Sequence, residues 1–314
     1  MLSLFTIRDN GVHESSSTVS LETLQAASWI DAQAPDAAER ELLDALLPED
    51  LPESSAVEEI ESSARFFTDA NGVHVHSLFL SSGDGRPRTV TVAFILQTQR
   101  LITLRHSDCA DFGLFLTRAE KGQVEVSGPA QLLVALLEQK VGNLADIIED
   151  THRKLDHISH QVLEQGGDLQ AAIGGLARVE DLNGKVRLCL MDTQRSISFL
   201  QRHAKPWPEM QQTCQEIMRD VETLMSHTTF LFEKINYLMD YTQGFINIHQ
   251  NQIIKIFSIA SVVLLPPTLI ASIYGMNFDY IPELKWLLGY PWAIGVMIVS
   301  AVTPYLYFKR KGWL

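Results

Sequence analysis

Charged positions all but vanish over the last sixty residues of the chain. Ile256 to Phe278 and Trp286 to Phe308 carry no charged side chain, each is 23 residues long, and only the seven residues Asp279 to Lys285 separate them. A helix rises ~1.5 Å per residue, so either run is long enough to cross a hydrocarbon core of ~30 Å. The connection is too short to hold a domain, and the pattern predicts a tight hairpin of two membrane spans that returns the chain to its starting side. Lys255 precedes the first span and Lys309-Arg310-Lys311 follows the second, against Lys285 alone between them. Basic residues stay on the cytoplasmic side, so both termini are expected in the cytoplasm and the connection outside.

Upstream, the apolar positions recur at helical spacing. Leu137, Val141, Leu144, Ile148, Thr151, Leu155, Ile158 and Val162 step alternately by four and three, which predicts one long helix with a single apolar seam. Gly166-Gly167 breaks it, and Leu176, Val179, Leu182, Val186, Leu190, Ile197 and Leu200 trace a second helix that folds back on the first. From Cys214 a third seam runs without a slip through positions 217, 221, 224, 228, 231, 235, 238, 242 and 245. Nothing ends this helix before the first span, so one rod of ~100 Å is expected from about Pro208 to Tyr274. Such a rod exceeds what its own small domain can bury. The expectation is a ring of parallel copies whose seam continues into a membrane pore, with the hydroxyls of Thr228 and Thr242 along the axis.

The first ~125 residues read differently, as short strands split by polar turns. Gly72 to Leu80, Arg88 to Leu96 and Leu101 to Arg105 are expected strands, with a meander as their simplest pairing, and Trp29-Ile30-Asp31 resembles a strand end. Pro35-Asp36-Ala37-Ala38-Glu39 starts a helix, with proline and acids in the first turn where the helix dipole favours them. The fold class is therefore an α/β domain followed by helices only, then two transmembrane helices.

Charge narrows the partners. Residues 251–314 carry five basic and two acidic side chains, a balance of +3, so the chain's net −13 leaves −16 on the first 250 residues. An acidic soluble part of this kind does not hold nucleic acid or anionic lipid by charge, and it concentrates cations. Cys109, Cys189 and Cys214 are far apart, which suits a reducing compartment and excludes a cysteine zinc site. The segment Met1 to Asp9 has no basic region followed by a long apolar core, so no cleaved signal peptide is expected. No phosphate-binding glycine loop, nucleophile elbow or basic nucleic-acid patch is present, and an enzyme reading lacks a site.

Tyr274-Gly275-Met276-Asn277-Phe278, then Ile281-Pro282-Glu283-Leu284, then a second span ending in Lys309-Arg310-Lys311-Gly312-Trp313-Leu314, closely resembles the CorA magnesium transporter family. The resemblance extends through Lys185 to Arg195, Gly244-Phe245-Ile246-Asn247 and Ala64-Arg65-Phe66-Phe67, and so covers essentially the full length. It implies a funnel-shaped homopentamer in a bacterial inner membrane, with membrane lipid as its other partner. It also implies a pore lined by the first span and uptake of Mg2+, with Co2+ and Ni2+ as further substrates. Divided accordingly, residues 1–130 form the cytoplasmic α/β domain and 131–204 a helical hairpin. Residues 205–278 form the stalk helix and first span, membrane-embedded from about 256 to 275. Residues 279–285 are the outer loop, 286–308 the second span and 309–314 the basic tail.

The chemistry follows from the ion. Magnesium is small, holds its waters tightly and prefers octahedral oxygen, so stripping it takes carboxylates. The first span has none. Its polar groups are Ser258, Ser261, Thr268, Ser272, Tyr274 and Asn277, which suit hydrogen bonds to the ion's water shell, so the ion is expected to pass hydrated. At the outer mouth a ring of Asn277 amides with Gly275 and Met276 supplies that contact, helped by helix-end carbonyls; read alone, the tetrapeptide is also an ordinary helix C-cap with Gly275 as its stop. Family correspondence carries Asn251, Phe257, Leu265, Thr268 and Ser272 onto the pore axis. Phe257 and Leu265 would be apolar collars that block ions by dewetting, although some relatives carry Met where Leu265 stands. Pro266-Pro267 frees two carbonyls and predicts a bend.

Asp279 and Glu283 would gather cations outside. Lys309, Arg310 and Lys311 read as positive-inside anchors or as a cationic collar at the cytoplasmic exit. In the family, Mg2+ bound between neighbouring cytoplasmic domains holds the channel shut, so Mg2+ is regulatory ligand as well as substrate, with no organic cofactor. Glu216 corresponds to the stalk member of that carboxylate pair, Asp220 lies one turn on, and Asp69 is the candidate partner; solvated surface charge is the plain reading of each. His74 with His76, and His157 with His160, have spacings that could ligate zinc but lack completing ligands, and surface histidines are expected. Two other readings stand beside the magnesium channel: a zinc transporter of the same two-span architecture, and a membrane-tethered oligomeric scaffold without a conducting path. The Gly-Met-Asn and Ile-Pro-Glu-Leu pairing favours magnesium.

Overall fold

The computed structural model describes residues 1–15, 18–47, 65–81, 86–163, 168–203, 207, 210–277 and 281–313. It divides into two compact units, Met1–Met239 and Asp240–Leu314.

The first unit opens on strands β1 (Leu2–Arg8) and β2 (Gly11–Glu14), helix α1 (Leu21–Ala26), β3 (Trp29–Gln33) and helix α2 (Ala37–Asp44). Both helices begin in capping boxes. Ser20 exchanges hydrogen bonds with Thr23, and Asp36 with Glu39, so the acids expected in the first turn satisfy its free N–H groups. Four more strands follow: β4 (Phe66–Asp69), β5 (Gly72–Ser81), β6 (Arg88–Leu96) and β7 (Leu101–Arg105). β5 to β7 form the expected antiparallel meander, and β4, which was not expected, extends it beside β5. The sheet does not stop there. β7 pairs in parallel with β3, which brings in β1 and β2 and gives one seven-stranded sheet of order β2-β1-β3-β7-β6-β5-β4.

Both faces of this sheet are covered. Leu4, Ile30, Ile95 and Ile102 pack with Leu24 of α1 and Leu43 of α2. The opposite face, including Trp29, Val75, Phe79 and Phe94, packs under helices α3 (Ala110–Glu120), α4 (Pro129–Leu163) and α5 (Leu169–His203). Burial on two sides is why β7 is buried at every position instead of alternating. It also corrects the reading of His74 and His76: they are buried, not surface, histidines, and Phe67 stacks on His74 at 4.2 Å. His157 and His160 are exposed, as expected.

Helix α6 (Met210–Tyr274) is continuous, as its unbroken seam predicts, but the seam does not face an axis. Ile217, Val221, Leu231, Ile235 and Leu238 are buried in the same core as α4 and α5 of their own chain. Asn183 donates to the Thr228 carbonyl at 3.0 Å, Arg187 donates to Thr229, and Lys234 pairs with Asp156. The Thr228 hydroxyl is buried and donates to the Met225 carbonyl. For the part of the seam in the first unit, the expectation of an axial Thr228 hydroxyl and of burial only by copies is thus wrong, because the helical hairpin supplies the apolar cover within one chain.

A polar pin crosses this core. Asp192 of α5 accepts from Arg65 at 2.9 Å and from the Ser77 hydroxyl and Leu78 N–H at 2.7 Å, while Lys140 of α4 donates to Ser77 at 2.9 Å and lies over the Phe79 ring. Every partner is buried or nearly so, and each charge has an opposite within reach.

Two buried titratable groups near this core carry opposite pH signatures. Burial pushes the Asp111 carboxyl up to about 6, against the hydrogen bond from Asn143 and the charge of Lys140. Its folded pKa exceeds the unfolded one, so the stability associated with it is full below pH 4 and is lost as pH rises through 6, by about 3 kcal/mol. His76 is the reverse: burial first, then the positive charge of His74 and Arg65, lowers it to about 4. Its contribution is full above pH 6.5 and is lost as pH falls towards 4. Thermal melts of the full chain should therefore show Asp111→Asn more stable than wild type at pH 7.5 with no gain at pH 4. His76→Phe should remove acid sensitivity between pH 6 and 4. Equal pH profiles for wild type and both variants would refute the assignment.

The second unit holds the rest of α6, a 3-10 turn at Pro282–Lys285 and helix α7 (Gly289–Arg310). α7 begins three residues after the charge-free run does. Trp286 N–H donates to the Glu283 carbonyl and Gly289 N–H to the Trp286 carbonyl, and a Cβ on Gly289 would lie 2.2 Å from the Glu283 oxygen. Only glycine allows the turn to seat against the helix start.

Candidate functional site

Between residues 251 and 274, α6 presents two different faces. Ile259, Val263, Pro266, Pro267, Ile270 and Tyr274 are half-buried, whereas Asn251, Phe257, Leu265, Thr268 and Ser272 are exposed, Phe257 and Leu265 to 69% and 65%. At ~100° per residue the second set centres roughly 180° from the first. The five positions that family correspondence placed on the axis therefore share one face, the one the chain leaves uncovered. No charge lies on it from Ile256 onward.

The polar groups on this face have a defined sense. The Thr268 hydroxyl donates to the Leu264 carbonyl at 2.8 Å, and Ser261 donates to the Phe257 carbonyl at 2.9 Å. With the proton turned into the helix, each oxygen offers only lone pairs outward. Water coordinated to a divalent cation can only donate, so acceptor-only oxygens suit it. This orientation was not legible in the sequence, which shows a hydroxyl but not where its proton goes.

At the end of the helix, Gly275 N–H donates to the Ala271 carbonyl at 2.9 Å and Met276 N–H to Ile273, and Asn277 follows, exposed. Gly275 stands directly after the last helical residue, Tyr274, as the expected stop, but without a left-handed φ; the positive-φ glycines among the described residues are Gly72, Gly122 and Gly312. The helix instead closes with right-handed geometry, and among the described residues the Ser272 and Tyr274 carbonyls receive no backbone donor. Unpaired carbonyls at a helix C-terminus carry the negative end of its dipole. Glu283 sits in the turn before α7, and Asp279 lies outside the described residues. Lys309, Arg310 and Lys311 are exposed at the other end of α7.

The regulatory candidates are spread over the first unit. Glu216 and Asp220 are exposed on α6, Glu216 accepting from Gln212. Asp69 is engaged locally: its carboxylate accepts from Asn71 and Gly72 N–H and lies 2.8 Å from the His74 ring. Among the described residues no group of three or more His, Cys, Asp or Glu side chains is placed to hold a metal within one chain.

The family description "CorA-like Mg2+ transporter protein" matches residues 25–310. The chain belongs to this family. The magnesium transport protein CorA of Yersinia pseudotuberculosis is 45% identical over 318 residues, with all of both chains covered. The complete structure of the CorA magnesium transporter from Methanocaldococcus jannaschii superposes with a TM-score of 0.78 at 18% identity, covering 100% of this chain and 99% of that one. The ZntB cytoplasmic domain from Vibrio parahaemolyticus has a TM-score of 0.58 at 9% identity, covering 78% of this chain and 97% of that one. Likenesses at such identity concern the fold. Among the described residues α6 and α7 are the two helices long and apolar enough to cross a membrane, and together with CorA membership they make this a two-span membrane protein.

Proposed function

We propose that the chain forms a homopentameric channel in a bacterial inner membrane that admits Mg2+ with its water shell, and also Co2+ and Ni2+. The observation that carries this reading is the exposed face of α6, where Asn251, then Phe257 and Leu265, then Thr268 and Ser272 lie opposite the packed stripe. Copies arranged with that face inward enclose neutral acceptors and two apolar collars. A carboxylate-free lining lacks what dehydrating magnesium takes, so hydrated passage is the consistent mechanism.

Gly275, Met276 and Asn277 form the outer mouth, and Asp279 and Glu283 raise the local cation concentration above it. Both termini lie in the cytoplasm. Lys309, Arg310 and Lys311 anchor the inner end of α7 around the exit. Glu216, Asp220 and Asp69, which assemble no metal site in one chain, act across subunit boundaries, where bound Mg2+ favours the closed ring and its loss opens it. The relatives' name, magnesium transport protein CorA, supports the choice of ion. The zinc reading has weaker support, a distant fold likeness limited to a cytoplasmic domain.

The test is flux into liposomes containing the purified full chain. Mg2+ uptake should saturate and should be blocked by cobalt(III) hexammine, an inert mimic of a hexahydrated cation. Absence of Mg2+ flux, or zinc flux driven by a proton gradient, would overturn the proposal.

A further inference from the structure

The basic end of α7 is built more firmly than a charged tail. Gly312 adopts φ +70° and its N–H donates to the Lys309 carbonyl at 3.2 Å. Trp313 N–H donates to the Phe308 carbonyl at 3.0 Å, and its indole stacks on the Phe308 ring, centroids 5.6 Å apart with 12° between the planes. These two hydrogen bonds and the accompanying apolar contact define a Schellman motif, in which a left-handed glycine turns the chain back over the last helical turn. Chain ends usually fray. Here the reversal holds an indole next to Lys309, Arg310 and Lys311.

The three cations are exposed, and none forms an ion pair among the described residues. Tyr305 and Tyr307 are exposed one turn earlier. Indole and phenol rings favour the depth of lipid headgroups and ester groups, and clustered basic residues just inside a membrane span attract anionic lipid at about 1 kcal/mol per residue. If α6 lines the passage, α7 is the outer helix, and its basic end meets lipid.

We propose that the end of α7 is a binding site for an anionic phospholipid, with the phosphate held by Lys309, Arg310 and Lys311 and the ester region against Trp313. The inference rests on the membrane-spanning reading of α7. It does not depend on which ion is conducted, so a lipid-binding readout separates its failure from failure of the transport proposal. The charge pattern along the chain supports the choice of ligand: the soluble part is acidic, and the +3 balance is confined to the residues at the membrane.

The experiment uses the full chain in neutral detergent, titrated with phosphatidylglycerol, phosphatidylcholine or inorganic phosphate. Phosphatidylglycerol should raise the melting temperature by several degrees, less at high salt, while the other two leave it unchanged. Brominated phosphatidylglycerol should quench fluorescence in wild type more than in Trp313→Phe, and the triple variant Lys309→Gln, Arg310→Gln, Lys311→Gln should lose the lipid-specific shift. Equal responses to the two lipids, or a shift that survives in the triple variant, would overturn the proposal. So would salt-sensitive melting with no lipid response, which would point to acids of a neighbouring subunit as partners. If the triple variant does not insert, Gly312→Val, which strains the left-handed turn and releases Trp313, decides the matter: undiminished lipid quenching in that variant would refute a built site.

Discussion

Asn277→Ala is expected to reduce Mg2+ uptake by at least tenfold while leaving assembly and melting temperature unchanged. Asn277 is exposed just beyond the last turn of α6, next to helix-end carbonyls that receive no backbone donor among the described residues, and it contributes nothing to the buried core. Truncation therefore costs no packing. On the proposed channel reading, what it removes is a neutral acceptor that meets the waters of a doubly charged ion. Hydrogen bonds to charged groups contribute about 1.5–3 kcal/mol each, and every 1.4 kcal/mol is a factor of ten. Removing one such hydrogen bond from each subunit is enough for this effect, and a ring gives up several together. Asn277→Gln retains the carboxamide but moves it by one methylene, so partial uptake is expected. The measurement is ion flux into liposomes with the melting temperature taken on the same preparation. Uptake within twofold of wild type would remove Asn277 from the path and favour a scaffold without a conducting path.

The second large effect lies in the core of the first unit. Asp192→Ala should destabilise the first unit by about 3–5 kcal/mol, because it strands Arg65 and Lys140 as buried charges and leaves the Ser77 hydroxyl and Leu78 N–H without their acceptor. At about 2–4 °C per kcal/mol for a domain of this size, the melting temperature should fall on the order of 10 °C. A double-mutant cycle distinguishes a coupled network from a packing defect. Arg65→Leu combined with Asp192→Leu should be less destabilised than the two single variants summed, since removing both charges leaves less to satisfy. Additive losses would show that Asp192 acts only through its volume.

These two residues also show where sequence reading stops. Ala64 to Phe67 and Lys185 to Arg195 stood out as separate stretches of family resemblance, with nothing in either to say that they touch. In the folded chain Arg65 and Asp192 form one ion pair across 127 positions. Histidine burial failed for a related reason. Alternation on β5 places His74 and His76 on one face, but whether that face meets water depends on the elements packed over it, which are remote in sequence.

The sequence by itself determined the local periods and their chemistry. It yielded the strands from β5 to β7, the helical hairpin, the unbroken rod of α6, two charge-free spans, and a first span without carboxylates, because a 2.0, 3.6 or 23-residue pattern is written in neighbouring positions. Tertiary structure alone decided what covers each face. It joined β3 to β7 in parallel, buried the α6 seam against α4 and α5, and left Asn251, Phe257, Leu265, Thr268 and Ser272 on the uncovered side. Periodicity states that a helix has an apolar stripe; which surface buries that stripe is a competition among all the surfaces available, and only the packed chain records the outcome.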